Sequence, residues 1–148
     1  MKITLKREFD GKYYIGSIAG IPGCYVQSES SMQIPLLMKN ASSIFIKSFR
    51  DKNQTITNED EKPIFNLKIR FEQISTSQIK NLLKSRNYYV EYQDRSSLLM
   101  VNSNFPFNRV HLPQTDDLSP LIIQKLIGRE NTIFVRPQNK NRKSRFVI

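Results

Sequence analysis

The sequence predicts an α+β fold made of two small modules in tandem, and three observations carry that reading. Strand-like alternation and a helical apolar stripe occur twice, first in the order β-β-β-α-β and then as α-β-β-β-α. The 148 residues suit one ordinary domain or two very small ones. The junction near Phe71–Ile74 is short, so the two modules are expected to touch. The expected boundaries are 1–73 for the first module, 74–130 for the second and 131–148 for a basic tail.

In the first module, Ile3 and Leu5 alternate with Lys2, Thr4 and Lys6, as a half-buried strand does. Asp10-Gly11 marks a hairpin turn. A second strand is expected over 13–19, Gly20-Ile21-Pro22-Gly23 breaks it, and a third follows over 24–28. Ser30 is placed to cap a helix running to about Arg50, whose stripe is Ile34, Leu37, Met38, Ala41, Ile44, Phe45 and Phe49. Pro35 falls near its first turn, where a missing amide costs least. A polar loop of mixed charge is expected over 52–62 and a fourth strand over 63–71.

The second module opens with Ser75 or Thr76 as cap of a short helix, with Ile79, Leu82 and Leu83 inward. Strands are expected over 88–92, 98–102 and 109–113. Ser119 caps the last helix, with Pro120 in the first position, where proline is favoured.

Composition narrows the functions. Hydrophobic residues make up 39% of the chain, and no apolar run reaches the roughly 18–20 residues of a membrane span. The alternating, charged N-terminus lacks the pattern of a signal peptide. The single cysteine, Cys24, excludes an internal disulfide and a zinc site of several cysteines, and it fits a reducing cytoplasm. Cys24 itself reads as a small core residue. No metal or other cofactor is expected. Net charge is +10, divided as +3 over 1–73 and +7 over 74–148. Five of the latter charges, Arg136, Lys140, Arg142, Lys143 and Arg145, form an acid-free terminal stretch suited to a polyanion or to simple solvation.

Asp10-Gly11-Lys12-Tyr13-Tyr14-Ile15-Gly16 followed by Gly20-Ile21-Pro22-Gly23-Cys24 resembles the HicB antitoxin family over residues 1–71. Members usually continue into a DNA-binding module, and none is legible here, so DNA is not an expected partner. The second half looks like the HicA toxin family. Ser77-Gln78-Ile79-Lys80-Asn81-Leu82-Leu83, Arg95-Ser96-Ser97, Val110-His111-Leu112-Pro113 and Asp117-Leu118-Ser119-Pro120 carry that likeness. It implies a double-stranded-RNA-binding-like fold and ribonuclease activity.

Two departures change the implied chemistry. Arg95 replaces a family glycine, and Ser97 stands where the family has its histidine, with Leu98 at a second histidine position. Metal-free RNA cleavage needs a group that moves the 2′-hydroxyl proton near neutral pH, which serine cannot do. The single histidine, His111, lies on a neighbouring strand, with Ser97 the remaining catalytic candidate. The expected function is therefore binding: of RNA, or of a HicA- or HicB-type protein or a second copy. A weak ribonuclease checked by its own first module and a scaffolding protein are the alternatives. Lys80, Lys84, Arg86, Arg95 and Arg109, with the five tail cations, are the candidate RNA contacts, a solvated face being the bland reading. Tyr88 and Tyr89 either stack on bases or split between core and surface. Asp116-Asp117 reads as support for a helix start rather than a cation site.

Overall fold

A computed structural model describes residues 4–56, 63–65 and 69–134. Strands β1 (Leu5–Phe9), β2 (Tyr14–Ile18) and β3 (Ile21–Ser28) precede helix α1 (Ile34–Asp51) and strand β4 (Ile69–Phe71). Helix α2 (Thr76–Lys84), strands β5 (Tyr88–Gln93), β6 (Ser97–Asn102) and β7 (Arg109–Pro113), helix α3 (Pro120–Ile127) and strand β8 (Thr132–Phe134) follow. The mixed α+β class holds, and the described elements of each half fall in the expected order.

The halves are not separate sheets. Among the described residues the strands run β1-β2-β3-β7-β6-β5 in one sheet, while β4 pairs with β8 in a second. The joint in the large sheet is parallel, with Cys24 beside His111. The small sheet is also parallel and again takes one strand from each half. Two modules in contact were expected; the backbone goes further and bonds across the junction twice.

Gly23 shows why the joint forms at β3. Its φ of +105° suits glycine, and a β-carbon there would lie 2.2 Å from the carbonyl oxygen of Arg109. Only a bare backbone lets β7 come this close. Gly16 does the same for the helix, since a β-carbon there would meet Ile34 at 2.8 Å and Val26 at 2.9 Å.

Helices cover both faces of the sheet. On one face Ile18, Cys24, Val26 and Leu99 pack against Ile34, Met38, Ala41, Phe45 and Phe49 of α1. On the other, Ile15 and Tyr25 of the first half share a core with Leu98, Met100, Val110 and Leu112, under Ile79 and Leu83 of α2 and Ile122, Ile123 and Leu126 of α3. Neither half keeps its apolar surface to itself.

Three local expectations are corrected. Helix α1 starts at Ile34, after a 3-10 turn over Ser31–Gln33, and Ser30 makes no side-chain cap. A helix begun at Ser31 would need the amide of residue 35, and Pro35 has none. The strand expected over 63–71 is confined, among described residues, to Ile69–Phe71. The amides of Ile64 and Phe65 instead bond to the carbonyl of Leu126, one of the acceptors that the end of α3 leaves open. Finally, the expected tail from residue 131 begins with β8. The caps of α2 and α3 are as expected: Ser75 forms a capping box with Gln78, and Ser119 accepts from the Leu121 amide. No helix among the described residues is long and apolar enough to cross a membrane.

Candidate nucleic-acid interface

The two sequence motifs that carry the family likenesses meet at a polar seam. Asp10 closes the β1–β2 turn by accepting from the Lys12 and Tyr13 amides, both at 2.7 Å. Its other oxygen accepts from Ser119 Oγ at 2.6 Å. Lys12 and the Tyr13 hydroxyl reach Asp117 at 3.0 and 3.1 Å. The Gln27 amide bridges the same joint, donating to the Asp117 carbonyl and accepting from the Ser119 amide. Asp117 thus ties the halves together; among the described residues no cluster of three metal-ligating side chains occurs.

Edge strand β5 carries two exposed aromatic residues; Phe9 and Phe105 are the other exposed aromatics among the described residues. Tyr88 is buried in the core and Tyr89 is 41% exposed, so the adjacent tyrosines split between the faces. Tyr92, also 41% exposed, would by simple alternation oppose Tyr89. A bulge between Val90 and Tyr92 prevents this. Tyr89 pairs with Val101 and Tyr92 with Leu99, two residues apart on β6, so both tyrosines occupy one face. Their spacing is roughly 7 Å along the strand. The sequence carries no sign of the bulge, so alternation alone places Tyr92 on the face opposite Tyr89.

Cations flank the pair. Lys52 Nζ donates to the Tyr89 hydroxyl at 2.9 Å, lies 5.2 Å from its ring centroid and pairs with Glu91. Burial pushes the Glu91 carboxyl up, but bonds from Lys52 and Ser48 outweigh it and hold the group below its ordinary range. At the other end Tyr92 donates to Asp94, which raises the Tyr92 pKa and lowers that of Asp94. Arg95 follows in the exposed turn. Lys80 of α2 reaches Gln93 at the end of β5 at 2.9 Å, and exposed Lys84 lies one turn further on. Arg86 is exposed and sits 5.5 Å from the Phe65 ring.

Arg109 does not belong with them. It is 3% exposed, lies 4.0 Å over the Phe49 ring and donates to Ser48 Oγ, the Ser48 carbonyl, the Phe107 carbonyl and Gln54. It braces α1 against β7 and is buried away from the exposed cations of the β5 edge. Arg136, Lys140, Arg142, Lys143 and Arg145 lie outside the described residues.

Ser97 and His111, the catalytic candidates, share the α1 side of the sheet. Leu99 pairs with His111 and Ser97 with Pro113, which makes Ser97 and His111 diagonal neighbours. Both are buried and line a cavity of about 310 Å³, to which Val26 and Gln27 of β3 and Leu37, Asn40 and Ala41 of α1 also contribute. No hydrogen bond joins them among the described residues. His111 Nδ1 lies 3.1 Å from the Tyr25 carbonyl, which can only accept, so Nδ1 carries the proton. Burial holds the imidazole pKa below its ordinary value, and Nε2, left as a lone pair, has no partner among the described residues. Cys24, beside His111, is buried with its thiol pushed up to about 12, so it is no nucleophile near neutral pH.

No family model, curated protein or solved structure matches this chain.

Proposed function

We propose that this chain is a non-catalytic RNA-binding protein, a fusion of an antitoxin-like and a toxin-like half, and that single-stranded RNA lies along the β5 edge. The observation that carries this reading is the exposed Tyr89–Tyr92 pair on one face, bracketed by Lys52 and Arg95. Aromatic platforms with adjacent cations hold unpaired bases by stacking and their phosphates by charge. Lys80 and Lys84 continue the positive charge around the edge, and the tail cations add a polyanion-binding stretch. Absence of catalysis follows from Ser97 at the position where the resembled family uses histidine.

Fluorescence anisotropy with a labelled single-stranded RNA tests the reading. Tyr89→Ala and Tyr92→Ala should each weaken binding about tenfold, as loss of one stacked base does, and Phe at either position should restore most of it. Affinity unchanged in the double alanine variant refutes the interface. A second reading, metal-independent cleavage, is favoured by one observation: Ser97 and His111 line the same cavity. RNA turnover that disappears in His111→Gln would replace the binding reading with that one.

A further inference from the structure

We propose that the cavity beneath α1 is a nucleotide site, with the base against His111 and the phosphate on Arg95. This rests on the RNA reading and names the part of the RNA that the cavity takes. At about 310 Å³ the space is at the lower end of small-molecule sites, which run from roughly 300 to 1,000 Å³. It lies at the carboxyl ends of the parallel strands β3 and β7, the position at which open sheets of this kind receive ligands. The sheet bounds it on one side and α1 on the other, so it suits a flat molecule. Val26, Leu37 and Pro113 supply apolar walls.

The polar groups select the chemistry. His111 lines the cavity, is 1% exposed, and its Nε2 has no hydrogen-bond partner among the described residues, so it can accept a ligand hydrogen. A carboxylate has no hydrogen to give at neutral pH and a phosphate is largely ionised, so a neutral N–H or O–H is the donor that meets this acceptor without burying a charge. Arg95, in the exposed turn at the mouth, adds a cation suited to an anion. A planar ring with an N–H edge, joined to a phosphate, meets both demands. The Ser97 hydroxyl and the Asn40 amide also line the space and can engage further ring atoms. The nucleotide comes either from an RNA chain or free from solution.

His111 is the only histidine in the chain, so its imidazole signals in the intact protein report this site alone. The test is titration with each of the four nucleoside 5′-monophosphates, with their nucleosides, and with single-stranded RNA, at fixed pH. At least one monophosphate should shift the Nε2 resonance saturably, and RNA containing that base should do the same. Arg95→Ala should weaken the monophosphate about tenfold and leave the nucleoside unchanged. Asn40→Trp, an exposed position at the cavity, should abolish both shifts. RNA that binds through Tyr89 and Tyr92 without moving the His111 signals, with no monophosphate moving them either, overturns the nucleotide site and leaves the RNA reading standing. A monophosphate that binds while RNA does not supports the site with a free nucleotide as its ligand, and the RNA reading falls.

Discussion

Ser119 Oγ donates a 2.6 Å hydrogen bond to the Asp10 carboxylate inside the protein, joining residues 109 positions apart. The same hydroxyl oxygen accepts from the Leu121 amide at 3.2 Å, so one side chain caps α3 and closes the seam between the halves. Ser119→Ala should therefore lose a cap and a bond to a charged group, about 3 kcal/mol together. Asp10→Ala should lose a comparable amount, because it also opens the β1–β2 turn. Urea unfolding of both single variants and the double variant checks the coupling. The double variant should lose clearly less than the sum of the singles, and strict additivity would show that the bond is not formed in solution.

Cooperativity across the seam gives a second expectation. Ile15 and Tyr25 are buried in a core with Val110, Leu112 and Ile122, and residue 73 ends well before these partners. A fragment covering 1–73 should lack a cooperative thermal transition by circular dichroism. The full chain should unfold in a single transition by both fluorescence and circular dichroism. A folded 1–73 fragment, or two resolved transitions, would restore the picture of two independent modules.

Local features were legible and long-range ones were not. Alternation, the Asp10-Gly11 turn, the stripe of α1 and the caps at Ser75 and Ser119 depend on neighbours in sequence, and each stands in the structure. The parallel joint of Cys24 with His111 depends on chain 87 residues away, and alternation says nothing about which strand lies alongside. Of the site, Ser97 and His111 were singled out for their chemistry, but their common face required a register that only pairing supplies. Tyr92 was hidden by a backbone bulge, and Arg109 looked like a surface cation because Ser48, Phe49 and Gln54 come from a distant segment.

Arg109 therefore yields a prediction that separates stability from binding. Its guanidinium engages Ser48, Phe107 and Gln54 in a fork that an ammonium cannot reproduce. Arg109→Lys should destabilise the protein by about 2–3 kcal/mol in urea unfolding, the result of leaving buried acceptors without donors. RNA affinity of the folded variant should stay within about twofold of the parent, since charge buried under α1 does not meet phosphates. Unchanged stability with weakened RNA binding would return Arg109 to the interface.

The pH dependence of stability isolates His111. Its folded pKa is lowered from 6.5, first by burial, so below pH 6.5 the unfolded chain binds a proton that the folded chain does not. Stability is then fully present above pH 6.5 and falls as pH drops toward the folded value, by up to about 1.4 kcal/mol per pH unit. Asp94 and Glu91, whose folded pKa values lie below 3.8 and 4.5, shift the balance in the same direction only at lower pH. Between pH 6.5 and 5 the slope therefore belongs to the histidine. His111→Gln keeps a donor for the Tyr25 carbonyl and cannot titrate. Urea unfolding across that window should show a decline for the parent and a nearly flat line for the variant. A parent as stable at pH 5 as at pH 7 would show that the buried imidazole accepts a proton without cost and would refute the lowered pKa.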